Sequence, residues 1–148
     1  MLVILYSTEL IIERRNLKRN YVIILDHPYT LAGGHNEPHN RSFTSAIAQS
    51  AIDTLTAQGH QVDVIDLHAD HFDPVMHADD LRAWRTNKFV DQQSFDYLQR
   101  LRAADEIIFV FPIWWELMPA MTKGFLDKVL AKGQVTRKPK RFILEKIQ

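Results

Sequence analysis

The sequence predicts an α/β domain in three layers, a parallel sheet with helices on both faces. Three observations carry this. Strand-like and helix-like patterns alternate along most of the chain, as they do in strand–helix–strand units. Two runs, YVIILD at Tyr21–Asp26 and EIIFVF at Glu106–Phe111, are almost continuously apolar, as strands covered on both faces are. The 148 residues, 46% hydrophobic and 10% aromatic, are enough for one domain with a buried core.

Residues 1–20 stand apart from the domain expected over 21–148. In MLVILYSTELII the apolar run is interrupted by Ser7, Thr8 and Glu9. The charges Arg14, Arg15, Lys18 and Arg19 follow the run, whereas a secretory leader carries them ahead of it. The run is also too short to span a bilayer, so no integral membrane segment is expected. It reads as an extra strand or hairpin, or as an extension foreign to the domain.

Tyr21–Asp26 is the first strand. Thr44–Gln58 sets Ile47, Ala51 and Leu55 on one helical face, widened by Ile52, and Gly59 follows as the cap. Val62–Leu67 alternates, as a strand near a sheet edge does. His77–Arg85 reads as a short helix carrying Leu81 and Trp84, with Asp79 and Asp80 as its starting charges. Ser94–Ala104 is a helix with Phe95, Leu98 and Leu101 expected on one side. After the strand Glu106–Phe111, Pro119 opens a helix with Met121, Phe125 and Val129 on one face and Gly133 closing it. RFILEKI, residues 141–147, is a last strand candidate.

Charge and composition remove several function classes. The net charge of zero divides into +2 over residues 1–19, −7 over 20–131 and +5 over 132–148. A folded body that is acidic lacks the basic stripe of a nucleic-acid binder, so no nucleic-acid partner is expected. The absence of cysteine excludes thiol catalysis, disulfide scaffolds and thiolate metal sites, and makes a reducing cytoplasm the default location. Seven histidines invite a metal reading. Pro38 separates His35 from His39 and breaks the helical spacing an HExxH site needs. His68, Asp70 and His71 follow a strand and could form a site, but loop histidines at a wet surface are commoner, and no metal is expected.

Ligands of such sheets bind beyond the carboxyl ends of the strands, where the strand order reverses. Two loops leave the most apolar strands, residues 27–43 and 112–118. In the first, Ser42 and Thr44 are good helix-start residues, and the free amides there suit a phosphate, although an ordinary capped helix reads the same way. There is no GxxxxGK[ST] and no GxGxxG. In the second, FPIWWELMPAM, adjacent Trp114 and Trp115 cannot both enter one core. At least one should face outward, either to stack a planar ligand or to form an interface. No GxSxG elbow is present, and a receiver-type acid cluster is reduced to Asp26 alone.

At these loops the chain resembles the flavodoxin-like NAD(P)H:quinone oxidoreductases. The resemblance runs over about residues 21–133 through YVIILDHPY, SFTSAIAQSAIDTLTAQGHQVDVIDLHADHFDPVM and LRAADEIIFVFPIWWELMPAMTKGFLDKVLAKG, the FPIWWELMPAMTKGFLDKVL stretch being the most specific. It implies a flavodoxin-like fold binding a flavin between the first and third strands. His27, Ser42, Phe43 and Thr44 match the segment that holds the flavin phosphates, with Thr44 standing where relatives often have Asn. Pro112, Ile113, Trp114 and Trp115 match the loop along the flavin ring, Trp115 being the expected aromatic wall; Glu116 stands where an aromatic or small residue is common. No catalytic side chain is identified.

The implied activity is two-electron transfer from NAD(P)H through the bound flavin to a quinone or similar small acceptor, in a cytoplasmic homodimer. FAD is the flavin the resemblance implies, since the most similar-looking family members use it and the long first loop leaves room for a dinucleotide, and FMN is the alternative. Family members run longer, with a third flavin loop, a further strand and a final helix. The chain therefore reads as a shortened member, its last strand and helix missing, with an atypical basic tail over 134–148. The N-terminal segment is one candidate to cover the exposed sheet edge. A different class stays open: a non-catalytic regulatory or interaction subunit on the same fold, such as an ancillary subunit of a potassium-efflux system, or a degenerate fragment.

Overall fold

Asn20–Leu25 forms strand β1, beginning one residue earlier than the apolar run predicts, and Tyr21–Leu25 are all buried. The structure, a computed structural model, describes residues 18–35, 39–86, 88–89 and 91–130 and the backbone of 141–147. The expected N-terminal strand or hairpin and the closing role of Gly133 lie outside these residues. In chain order, β1 is followed by a 3-10 turn at Leu31–His35, then α1 (Phe43–Ala57), β2 (Gln61–Asp66), α2 (Ala78–Arg85) and α3 (Gln92–Ala103). After them come β3 (Glu106–Pro112), α4 (Ala120–Val129) and β4 (Arg141–Ile147).

The four strands are parallel and lie in the order β2-β1-β3-β4. Chain order and sheet order therefore part company between β1 and β3: the connection from β1 leads to β2 on one side, and the next crosses to β3 on the other. That is the switch point at which a ligand crevice opens. The alternating strand Gln61–Asp66 takes the edge, as its pattern predicts, and Arg141–Ile147 completes the sheet beside β3.

Both faces are covered. Ile23, Leu25 and Val110 point to one side, where Ile47, Ala51, Ile52 and Leu55 of α1 close over them. Val22, Ile24, Ile107 and Phe109 point to the other, where α3 and α4 contribute Leu98, Leu101, Phe125 and Val129. Phe125 is the centre of that side, meeting Phe72 and Phe109 edge-on at 5.8 and 6.1 Å between ring centroids. The apolar stripe of α3 is rotated from the expected one. Ser94, Tyr97, Leu98 and Leu101 are buried, while Phe95 is 40% exposed and rests against Phe89. Ser94 can occupy the stripe because its hydroxyl donates to the capping Asp91 at 2.6 Å.

Helix ends and edges are fixed by named groups. Ser42 caps α1, its Oγ accepting from the Ser45 amide at 3.0 Å. At the other end Gly59, with φ +84°, allows the paired bonds from the amides of Gly59 to Thr56 and of His60 to Leu55 that close a Schellman turn. On the sheet edge, Arg100 grips Asp63 through two bonds of 2.7 Å and donates to the Val64 carbonyl, tying α3 to β2. That removes one open acceptor from an edge strand.

Candidate functional site

The first loop leaves β1 through Asp26 and His27 and folds back onto the start of α1. Ser42 donates from its amide to the Gly33 carbonyl at 3.0 Å, and the Ser45 hydroxyl donates to the Thr30 carbonyl at 2.6 Å. Asp66, at the end of β2, accepts from the Leu31 amide at 2.7 Å and from the Ala69 amide at 3.1 Å. One carboxylate thereby fixes the exits of two strands. Gly33 has no room for a side chain: a Cβ there would lie 2.9 Å from Tyr29 Cβ. The result presents the start of α1 at the carboxyl edge, with Ser42 and Thr44 buried and Phe43 72% exposed. The amides of Phe43 and Thr44 donate to no acceptor among the described residues.

The second loop leaves β3 at Pro112 and makes a tight reversal. Trp114 and Leu117 exchange both backbone bonds, at 3.1 and 3.0 Å, with Trp115 and Glu116 between them. Their φ values are +51° and +64°. Two left-handed residues in a two-residue reversal make a type I′ turn, a position that normally takes Asn-Gly. A tryptophan and a glutamate there hold backbone strain of about 1–3 kcal/mol each, the kind of strain that gathers at ligand clamps. The turn displays Trp115 at 96% exposure and Trp114 at 48%, so both indoles face outward. The Trp115 and Glu116 amides also find no acceptor among the described residues.

Between the two loops lies an arrangement the sequence patterns do not reveal. The Asp26 side chain is 2% exposed. Its Oδ2 accepts from the Thr122 amide at 2.7 Å and from the Thr122 hydroxyl at 2.6 Å, and its Oδ1 meets His68 Nε2 at 3.0 Å. Thr122 lies in the first turn of α4, whose cap residue Pro119 offers no side-chain acceptor. Asp26 supplies that acceptor from another strand, and its charge is favourable at a helix start. The only signal in the sequence is a carboxylate ending an apolar strand; His68 and Thr122 are too distant along the chain for any spacing rule.

His27 is fixed in one tautomer by its surroundings. Its Nδ1 accepts the Tyr29 amide at 3.1 Å, so the proton of the neutral ring is on Nε2, directed away from that bond. Burial pushes its pKa below the ordinary 6.5, and the nearby His68 adds to this while Asp26 and Asp66 oppose it. A histidine depressed on folding favours the native state above the unfolded value and withdraws that stability as pH falls through the folded one. Stability measured by denaturant should therefore drop on acidification below about pH 6.5, and His27→Gln should flatten that slope. An unaltered slope would show that His27 is not desolvated.

Of the residues predicted to bind, His27, Ser42, Phe43 and Thr44 lie at the exit of β1 and the start of α1. Pro112, Ile113, Trp114 and Trp115 lie at the exit of the adjacent β3. The considered trio of His68, Asp70 and His71 is divided: His68 turns to Asp26, and Asp70 accepts from the Tyr97 hydroxyl at 2.7 Å. Among the described residues no group of three or more His, Asp or Glu is placed to hold a metal. Asp79 and Asp80 sit in the first turn of α2, as expected, and Asp80 accepts from the His77 amide at 3.0 Å.

A family model for the flavodoxin-like fold matches residues 31–145. The ribosyldihydronicotinamide dehydrogenase [quinone] of Pongo abelii is 34% identical over 115 residues, covering 67% of this chain and 49% of that protein. The uncharacterized NAD(P)H oxidoreductase YcaK of Escherichia coli (strain K12) is 32% identical over 97 residues, covering 65% of this chain and 50% of that one. Among solved structures, a putative quinone reductase from Klebsiella pneumoniae superposes with a TM-score of 0.64 at 29% identity, covering 78% of this chain and 47% of that chain. The chain spans about half the length of the curated relatives it matches. With the 2-1-3-4 sheet order, both loops at its switch point and the match of the family model, the chain belongs to the flavodoxin-like fold family, among the relatives of the NAD(P)H:quinone oxidoreductases.

Proposed function

We propose that the switch point takes a flavin and that the domain serves two-electron transfer from NAD(P)H to a quinone or similar small acceptor. The observation that carries this is the pairing of unfilled amides with an exposed indole. Phe43 and Thr44 offer free N–H groups at the start of α1, and Trp115 and Glu116 offer two more beside the Trp115 ring. A phosphate suits the first set and the polar edge of a planar heterocycle suits the second.

In this reading His27, Ser42, Phe43 and Thr44 hold the phosphates. His27 contributes its Nε2–H as a neutral donor, and the buried Ser42 cap keeps the helix start in place. Pro112, Ile113, Trp114 and Trp115 line the ring, with Trp115 stacking on it. The bound flavin would supply the hydride chemistry, the protein its orientation and surroundings. FAD is the proposed form, FMN the alternative. The names of the relatives, a quinone-linked dehydrogenase and an NAD(P)H oxidoreductase, support the donor and acceptor classes. A homodimer belongs to the same proposal, with Trp114, Trp115 and Leu117, all exposed, at its contact, and so does a cytoplasmic location. No helix among the described residues is long and apolar enough to cross a membrane.

The purified chain, mixed with FAD or FMN, should take up flavin and lose its visible absorbance when NADPH or NADH is added without oxygen. Trp115→Ala should weaken flavin binding roughly tenfold by fluorescence titration, the scale of a lost aromatic stack. Unchanged affinity would place the ring elsewhere. The same exposed apolar surface favours the second reading, a non-catalytic interaction subunit. A chain that binds neither flavin supports that reading and removes the first.

A further inference from the structure

Reducing a quinone by two electrons consumes a proton as well as a hydride; in the two proposed binding loops His27 Nε2–H is assigned to the phosphates and Glu116 stands on the exposed turn. At the carboxyl edge of the sheet, however, Asp26 and His68 form a pair with defined polarity. Asp26 is enclosed and its Oδ2 is occupied by the two donors of Thr122, which leaves Oδ1 to His68 Nε2 at 3.0 Å. A carboxylate only accepts, so His68 carries its fixed proton on Nε2 and turns Nδ1 outward. That Nδ1 has no hydrogen bond to any described residue, and the side chain is 26% exposed, so solvent reaches it. A buried acceptor behind a partly exposed imidazole is the arrangement that holds a ring ready to exchange a proton.

We propose that Asp26 and His68 form a proton-exchanging pair in which Asp26 positions the ring and His68 Nδ1 delivers a proton to the acceptor reduced at the switch point. The inference rests on the oxidoreductase reading above. The acceptor gains a hydride on one oxygen or ring position, and its other oxygen takes the proton as the Nδ1–H bond of the His68 imidazolium breaks. The neutral ring is then reprotonated by water. The balance is quinone plus NAD(P)H plus one proton giving hydroquinone and NAD(P)+. Three neighbouring side chains are engaged elsewhere. His27 uses Nδ1 for the Tyr29 amide, Asp66 holds the Leu31 and Ala69 amides, and Asp70 holds Tyr97. His71, in the same turn at φ +52°, donates its amide to the His68 carbonyl at 3.2 Å, while its exposed imidazole has no hydrogen bond to a described residue.

Two acceptors separate proton delivery from simple structural support. Ferricyanide takes electrons and no proton, whereas a benzoquinone needs both. In His68→Gln the ratio of benzoquinone to ferricyanide turnover should fall about a hundredfold, the lower end for loss of a general acid. Asp26→Asn should lower the same ratio and shift the pH profile of benzoquinone reduction. Equal losses with both acceptors, leaving the ratio unmoved, would overturn the proposal. A measurement independent of turnover is the tautomer of His68 in the native chain, read from long-range proton–nitrogen correlations at alkaline pH. The Nε2–H form is expected, and the Nδ1–H form would also overturn it. A chain that takes up no flavin sinks the oxidoreductase reading instead, and the tautomer then still decides whether the pair has this polarity.

Discussion

Gly124→Ala should lower the thermal midpoint by roughly 10 °C or prevent folding, a cost of about 3 kcal/mol at the upper end of overpacking. A Cβ built on Gly124 would lie 2.2 Å from the Pro74 carbonyl oxygen and 2.5 Å from Pro74 Cβ. Nothing flexible stands in the way to give ground, because the obstacle is backbone and a proline ring. Nor can α4 slide outward without opening the core, since Thr122, Phe125 and Val129 are buried on the same helix. The usual gain in helix propensity from replacing glycine by alanine, about 1 kcal/mol, is smaller than this clash. Differential scanning calorimetry decides the matter: a midpoint as high as that of the native chain would mean that the helix does not approach Pro74 this closely.

Asp26→Ala should cost about 3 kcal/mol as well, for a different reason. Two buried donors of Thr122 would lose their acceptor, and an unsatisfied buried donor costs about 1–3 kcal/mol. Asp26→Asn keeps one acceptor oxygen and should cost less than half as much. Thr122→Val removes the hydroxyl and leaves the amide bonded, which makes it the mildest of the three. Urea denaturation of this series tests the order, and an Asp26→Ala chain as stable as Thr122→Val would show that the carboxylate does not hold the helix. The effect should extend to binding. The first turn of α4 directly follows the loop of Trp114 and Trp115, so loosening it should weaken flavin affinity in Asp26→Ala even though the hydrogen bonds of Asp26 go to His68, Thr122 and Val110 rather than to that loop.

Local and short-range features of the fold are legible in the residues. YVIILD and EIIFVF announce buried strands because parallel strands with both faces covered need no polar alternation. Val62–Leu67 alternates because it takes the edge, and Ser42 marks the start of α1 because its hydroxyl can replace a missing carbonyl. Phe95 misleads because a buried serine, satisfied by the Asp91 carboxylate, holds the place in the stripe that an apolar residue would normally declare. The candidate site is legible where relatives share its loops and obscure where geometry alone makes it. The type I′ turn hides behind Trp-Glu, since the rule for such turns looks for glycine and asparagine. The Asp26–Thr122 and Asp26–His68 contacts join residues 96 and 42 positions apart, which no periodicity connects.

The turn at Trp115 and Glu116 places two demands on the same pair of codons. Its backbone asks for residues without a branched or bulky Cβ, while the proposed stacking asks for a large ring. A scan of all substitutions at position 115 should therefore rank variants in opposite orders under two selections. Glycine and asparagine should lead when the readout is abundance of folded protein, and aromatic residues should lead when it is retention of flavin. Variation at this position would be constrained by a compromise between them, so a stabilised version of the domain chosen for yield alone would drift away from its ligand.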